Sequence, residues 1–273
     1  SFVLGGKHSA KLLPSWKLER FSRTIDRDRL ERTLRYTDPK TGLEVRCVGV
    51  EYADFPTVEW TVYLHNGGSA KSPLIEDLQA ADIALLNASG GEFLLHHAVG
   101  SPNQANDFEP LQTVLGPGAE KRIGAAGGRP TNSDMSYFNI EWPGGGVIAA
   151  VGWPGQWSSL FQRDQANGLQ FRAGQEQTCF SLEPGEEART PLVVLQFWSG
   201  GDRLRSQNIW RRWMIAHNSP RPGGKPLPAR FDACYGNLKP LAAEETAMID
   251  GFVRERIGLD AWILDAGWYP NKD

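Results

Sequence analysis

Between Arg29 and His65, apolar and polar positions alternate, with β-branched and aromatic residues on the apolar beat: Leu34 and Tyr36, then Val45 and Cys47, then Val58, Trp60, Val62 and Leu64. A period of two marks half-buried strands. Asp38-Pro39-Lys40-Thr41-Gly42 separates the first two runs and Asn66-Gly67-Gly68 ends the third. Both stretches are rich in turn-favouring residues, so an antiparallel meander is expected. The rhythm resumes from Tyr137 to Trp198, broken at Pro143-Gly144-Gly145, Pro154-Gly155, Asn167-Gly168 and Glu183-Pro184-Gly185. Asn167-Gly168 carries the signal of a two-residue hairpin turn. Strands spaced about 8 to 12 residues apart read as an all-β sandwich or barrel.

The period changes at Gly201. Asp202 is placed to cap a helix running through Leu204, Ile209, Trp210, Trp213 and Met214. Pro220-Arg221-Pro222-Gly223-Gly224-Lys225-Pro226-Leu227-Pro228 can neither continue a helix nor join a ladder, and it marks the expected domain boundary. The resulting division is 1–222 and 223–273. Past the boundary, 231–235 reads as a strand, 242–257 as a helix ending at Gly258, and 261–265 as a buried strand, which is one βαβ unit. A closed (β/α)8 barrel takes about 250 residues, so the expectation is a chain that stops inside its second domain.

Composition narrows the function classes. The 273 residues are 40% apolar and only 22% charged, ample material for a core. The net charge is -3, without a run of like charges, so neither nucleic acid nor an anionic membrane is the expected partner. The longest apolar runs, 146–153 and 191–198, fall well below the roughly 18 residues of a spanning helix. Cys47, Cys179 and Cys234 are widely spaced without a C-x-x-C arrangement, so no disulfide framework or structural zinc is expected, and no cofactor. Ser1 opens the sequence without a charged and then apolar leader, so no targeting segment is expected within it.

Chemistry is expected at the carboxyl ends of barrel strands, where Tyr235-Gly236-Asn237 and Asp265-Ala266-Gly267-Trp268-Tyr269 stand. A carboxylate followed by an indole suits a sugar: the acid accepts bonds from hydroxyls and the ring covers an apolar face. The same residues also read as a helix cap at Asp265 and a packing indole at Trp268. His96-His97 lies in a strand-like run that lets only one of the two face a site, which disfavours a metal. Gly144-Gly145-Gly146 joins two strands rather than a strand and a helix, which disfavours a phosphate loop.

The segment from Trp262 to Tyr269 resembles the "LDDGW" stretch of family 36 glycoside hydrolases, the α-galactosidase group. Ser1 to Lys7 with Ser9-Ala10, Leu12-Leu13 and Trp16 resembles that family's opening. Gly128-Arg129, Tyr137-Phe138-Asn139, Gly152-Trp153, Gln156-Trp157, Leu182 to Glu186 and Thr190-Pro191 are similar in order and character to its later strands. The resemblance implies a mainly β chain: an antiparallel β-supersandwich, a linking helix and the first βαβ of a truncated (β/α)8 barrel. It also implies α-galactoside hydrolysis with retention, and homo-oligomers are common in the family. Asp265 matches the acid that binds the axial 4-hydroxyl, with Trp268, Asn237 and Tyr235 as further substrate-binding candidates. Ala266 replaces the second acid, and Asp232 to Asn237 lacks the Trp and Glu of the family's "NSWE" stretch. The two catalytic carboxylates would come from later strands, since Asp250, Glu255 and Asp260 fall on the helix or before the strand. No catalytic residue is therefore expected in this chain. Two other readings stay open: a non-catalytic carbohydrate-binding or assembly module, and a hydrolase of the same clan for an arabinopyranoside or N-acetylgalactosaminide.

Overall fold

The computed structural model describes residues 1–88, 90–234 and 241–264. The chain divides into two compact units, Ser1–Trp213 and Met214–Asp273, and the Pro-rich stretch 220–228 lies in the second.

In the first unit a short hairpin, β1 (Val3–Leu4) and β2 (Lys7–His8), precedes the single turn α1 (Ser9–Leu12). The meander then runs through β3 (Lys17–Thr24), β4 (Arg29–Thr37), β5 (Leu43–Tyr52) and β6 (Thr57–Asn66). Next come β7 (Ile75–Glu76), β8 (Gln79–Leu86), β9 (Phe93–Ala98), β10 (Pro110–Leu115) and β11 (Glu120–Gly124). The second expected run contains β12 (Tyr137–Trp142), β13 (Gly145–Gly152), β14 (Trp157–Arg163), β15 (Gly168–Gln175), β16 (Cys179–Phe180), β17 (Glu187–Arg189) and β18 (Leu192–Ser199), followed by α2 (Arg203–Trp213). The large sheet has the order β10-β9-β12-β13-β18-β6-β5-β4-β3, with β17 also on β6; a second sheet is β11-β14-β15-β8, and a small one β16-β7-β1-β2. All pairings in this unit are antiparallel.

The main core lies between the large and second sheets. Val147, Ala149 and Val151 of β13 pack with Phe138 and Ile140 of β12 and with Trp157, Phe161 and Phe171 opposite. Phe138 is ringed edge-on by Trp157 at 6.0 Å, Phe161 at 5.2 Å and Phe171 at 6.4 Å, geometries that add to plain area burial. A second cluster, including Phe2, Trp16, Leu43 and Leu64, sits under the small sheet. Almost all of β13 is buried. Its odd-numbered residues from Val147 face the core, and its even ones lie on the other face, which accounts for its continuous apolar run.

Turn chemistry decides the hairpins. Pro143-Gly144 closes β12–β13 with Trp142 opposite Gly145, and Gly144 has φ of +90°, as the third position of a type II turn requires. The turn expected at Asn167-Gly168 is different. The β14–β15 hairpin forms, but its loop is 164–167, organised by Asp164 Oδ1, which accepts from the amides of Ala166 (2.8 Å) and Gly168 (2.9 Å) and from Arg163 Nη1 (2.6 Å). An Asx-type side chain has replaced the two-residue turn.

Asp202 caps α2 as expected, its Oδ1 accepting from the Arg205 amide at 2.9 Å. The helix packs on the large sheet through Ser206, 2% exposed, and Trp213, 1% exposed. The anticipated stripe is only partly used: Leu204 is 61% exposed. Asn139 Nδ2 donates to Ser206 Oγ at 3.3 Å, while Trp198 Nε1 donates to Asn139 Oδ1 at 3.0 Å. Trp213 meets the Tyr52 ring edge-on at 5.5 Å.

In the second unit, a π-helical turn at Met214–Asn218 leads to β19 (Asp232–Cys234), α3 (Ala242–Arg254) and β20 (Ala261–Ile263). The two strands are parallel, with Asp232 opposite Ala261 and Cys234 opposite Ile263. This is the expected βαβ. Phe252 of α3 packs against Phe231 (6.2 Å) and Trp262 (6.0 Å), and Trp262 Nε1 donates to Glu245 Oε2 at 2.5 Å.

Candidate functional site

Two places could carry chemistry. The first is the carboxyl end of the parallel pair. Its register places Cys234 beside Ile263, so both strands end on the same side. The expected ligands Tyr235, Asn237, Asp265 and Trp268, together with Ala266, lie outside the described residues. Four described carboxylates of this unit lie on or beside the helix, or before the strand. Asp260 precedes β20 and accepts from the Phe231 amide at 2.7 Å, latching the amino ends of both strands. Glu245 holds Trp262, Asp250 is on α3, and Glu255 is its C-cap.

The second place is a cleft of about 590 Å³ between α2 and the sheet face bearing β9, β10 and β12. From the helix, Arg203, Gln207, Trp210 and Arg211 line it; the sheet contributes His96, Gln112 and Tyr137. The spacing of the helical residues follows from one face of a 3.6-residue period. Trp210 is wedged between Tyr137, edge-on at 5.8 Å, and Trp213, tilted at 4.9 Å. His96 Nε2 lies 2.7 Å from Glu141 Oε2, and its Nδ1 lies 2.5 Å from Arg203 Nη1. The same Arg203 Nη1 also lies 3.1 Å from Nε2, so the imidazole stands between the guanidinium and the Glu141 carboxylate.

His97 points the other way, 7% exposed, with Nε2 3.1 Å from Thr113 Oγ1. Burial first, and then the charge of Lys121, push its pKa down, which keeps the ring neutral. The adjacent histidines thus face opposite sides of the sheet, and among the described residues no cluster of His, Cys, Asp and Glu suits a metal. Tyr52, beneath Trp213, donates to Glu59 Oε1 at 2.9 Å; burial and the Glu59 charge push its pKa up. Arg203 belongs to no motif of the sequence, and nothing in the sequence joins Trp210 to His96 and Tyr137. Those residues come from three distant stretches that only the sheet register brings together.

A variant of the GH36 α-galactosidase AgaA from Geobacillus stearothermophilus, in complex with 1-deoxygalactonojirimycin, superposes with a TM-score of 0.71 at 12% identity, over 99% of this chain and 39% of its own. The α-galactosidase from Lactobacillus brevis gives 0.67 at 15% identity, over 100% of this chain and 36% of its own. The galactosidase domain of the α-galactosidase-sucrose kinase AgaSK gives 0.71 at 17% identity, over 93% and 37%. The fold is that of the N-terminal part of the family 36 α-galactosidases. This chain spans less than two-fifths of the length of these family 36 proteins. No family model and no curated protein matches the sequence.

Proposed function

We propose that the chain is the N-terminal part of an α-galactosidase-like retaining glycoside hydrolase acting on α-galactosides. Residues 1–222 would form the β-supersandwich with its linking helix, and 223–273 the start of a catalytic (β/α)8 barrel. One observation carries the reading: family 36 structures match nearly all of this chain while using only 36–39% of their own length. The parallel βαβ that follows the sandwich supports it, being the repeating unit of such a barrel.

In this reading Asp265 accepts hydrogen bonds from the axial 4-hydroxyl and Trp268 covers the apolar face of the sugar, with Tyr235 and Asn237 lining the same mouth. The partner is a carbohydrate, and the family resemblance adds a homo-oligomer. Retention needs an acid and a nucleophile about 5 to 5.5 Å apart. The described carboxylates of the second unit offer no such pair at the carboxyl ends of its strands, because Asp260 lies at the amino ends and Glu245 is bound to Trp262. Highly purified 1–273 is therefore expected to release no phenol from an aryl α-galactoside, whereas the protein extended through a whole barrel turns it over and loses that turnover in Asp265→Asn. Turnover by 1–273 itself, abolished by Asp265→Asn, would overturn the reading.

A further inference from the structure

We propose that the cleft along α2 binds an acidic saccharide, a sugar chain carrying carboxylate groups. The charge of the cleft favours an anionic occupant. Arg203 and Arg211 both line the cleft, and none of its described lining residues carries a carboxylate. Glu141, which does not line the cleft, is bonded to His96. Arg203 spends one nitrogen on His96 and Arg211 one on Asn208, and their other guanidinium nitrogens have no partner among the described residues. Such free forks suit planar carboxylates.

The shape of the cleft favours a sugar. Tyr137 and Trp210 touch at an interplanar angle of 85°, so no flat base can slide between them. The faces they leave beside the groove suit the puckered, CH-bearing surface of a pyranose. Tyr137 is 41% exposed. Its hydroxyl and the amides of Gln112 and Gln207 make no hydrogen bond among the described residues, leaving donors and acceptors for sugar hydroxyls. Arg203 and Arg211 are eight positions apart on one helix, about 12 Å along its axis, longer than a single pyranose. The occupant is therefore a short chain with acidic groups at more than one sugar.

This proposal is independent of the barrel reading, because every residue it uses belongs to the first unit. The test titrates trigalacturonate and triglucuronate into the whole 1–273 chain and follows the Trp210 indole proton by NMR, assigned through Trp210→Phe. The expected result is saturable movement of that signal. Binding should weaken about tenfold or more in Arg211→Glu, a substitution at an exposed position, and should fall as salt rises to about 0.5 M. The fully methyl-esterified trisaccharide, equal in shape but uncharged, should bind at least about tenfold more weakly. The proposal is overturned if neither acid moves the signal, if the ester binds as well as the acid, if Arg211→Glu leaves affinity unchanged, or if inorganic phosphate competes as strongly as the saccharide. Repeating the titration in Asp265→Ala separates this site from the barrel mouth: unchanged affinity supports the cleft, and lost affinity overturns it.

Discussion

Asn139 serves two side chains at once, accepting from the Trp198 indole and donating to Ser206 on the buried side of α2. Asn139→Ala leaves both groups without that partner at a buried position, and the expected loss is about 1–3 kcal/mol, read from urea denaturation. His97 makes stability depend on pH. Its folded pKa lies below the ordinary 6.5, so the unfolded chain holds the extra proton in acid. Stability from this source is complete above pH 6.5 and is lost as the pH falls through 6.5 toward the folded value. His97→Gln should flatten that limb as the pH falls below 6.5, and a slope identical to the parent's would refute the assignment. Ala266 tests the proposed pocket instead. A site built to bond a hydroxyl rejects the analogue that lacks it, whereas an apolar position discriminates by only about 1–3 kcal/mol per group. In the barrel-containing protein, Ala266→Asp should move kcat/KM toward the aryl galactoside and away from the aryl arabinopyranoside. An unchanged ratio would remove position 266 from specificity.

At the scale of elements, α2 is held by one large anchor. Trp213 is among the largest fully buried side chains, and Trp213→Ala should cost about 3–5 kcal/mol. The anchor is visible in the sequence as part of the apolar stripe of α2, but that stripe does not show which turn of the helix lies closest to the sheet. The small Ser206 sits there, and no hydrophobic count can report a close approach. Alternation exposed β4, β5 and β6 because one face of each is apolar. It missed β3, whose Glu19, Arg20, Arg23 and mostly exposed neighbours keep little apolar face. Charged β11, with Ile123 as its one buried residue, gave no signal either. Gly146 shows a second kind of invisible constraint. A Cβ there would stand 2.5 Å from the Trp198 ring and 2.6 Å from the Ile140 carbonyl oxygen, so Gly146→Ala should displace the indole and lower stability by about 1–3 kcal/mol. The cleft was illegible for the same reason as its ligands: His96, Tyr137 and Arg203 meet only after non-local strands pair.

For the whole molecule, two units of unequal size share one chain. The sandwich closes its own cores, while the described part of the second unit is a two-stranded parallel pair with one helix. A parallel pair covered on one side is weak by itself. Limited proteolysis should cut first near Gly223-Gly224-Lys225 and leave a body that still melts cooperatively; equal hydrogen-exchange protection in both units would contradict this. The middle of the large sheet has a further consequence, in the order of events during synthesis. There β6 lies between β5, its neighbour in sequence, and β18, with Trp60 opposite Val193. About 125 residues separate the end of β6 from the start of β18. At about 5–20 residues per second, one edge of β6 waits roughly 6 to 25 s for its partner to leave the ribosome, time in which the open edge is exposed to any other strand in the cell.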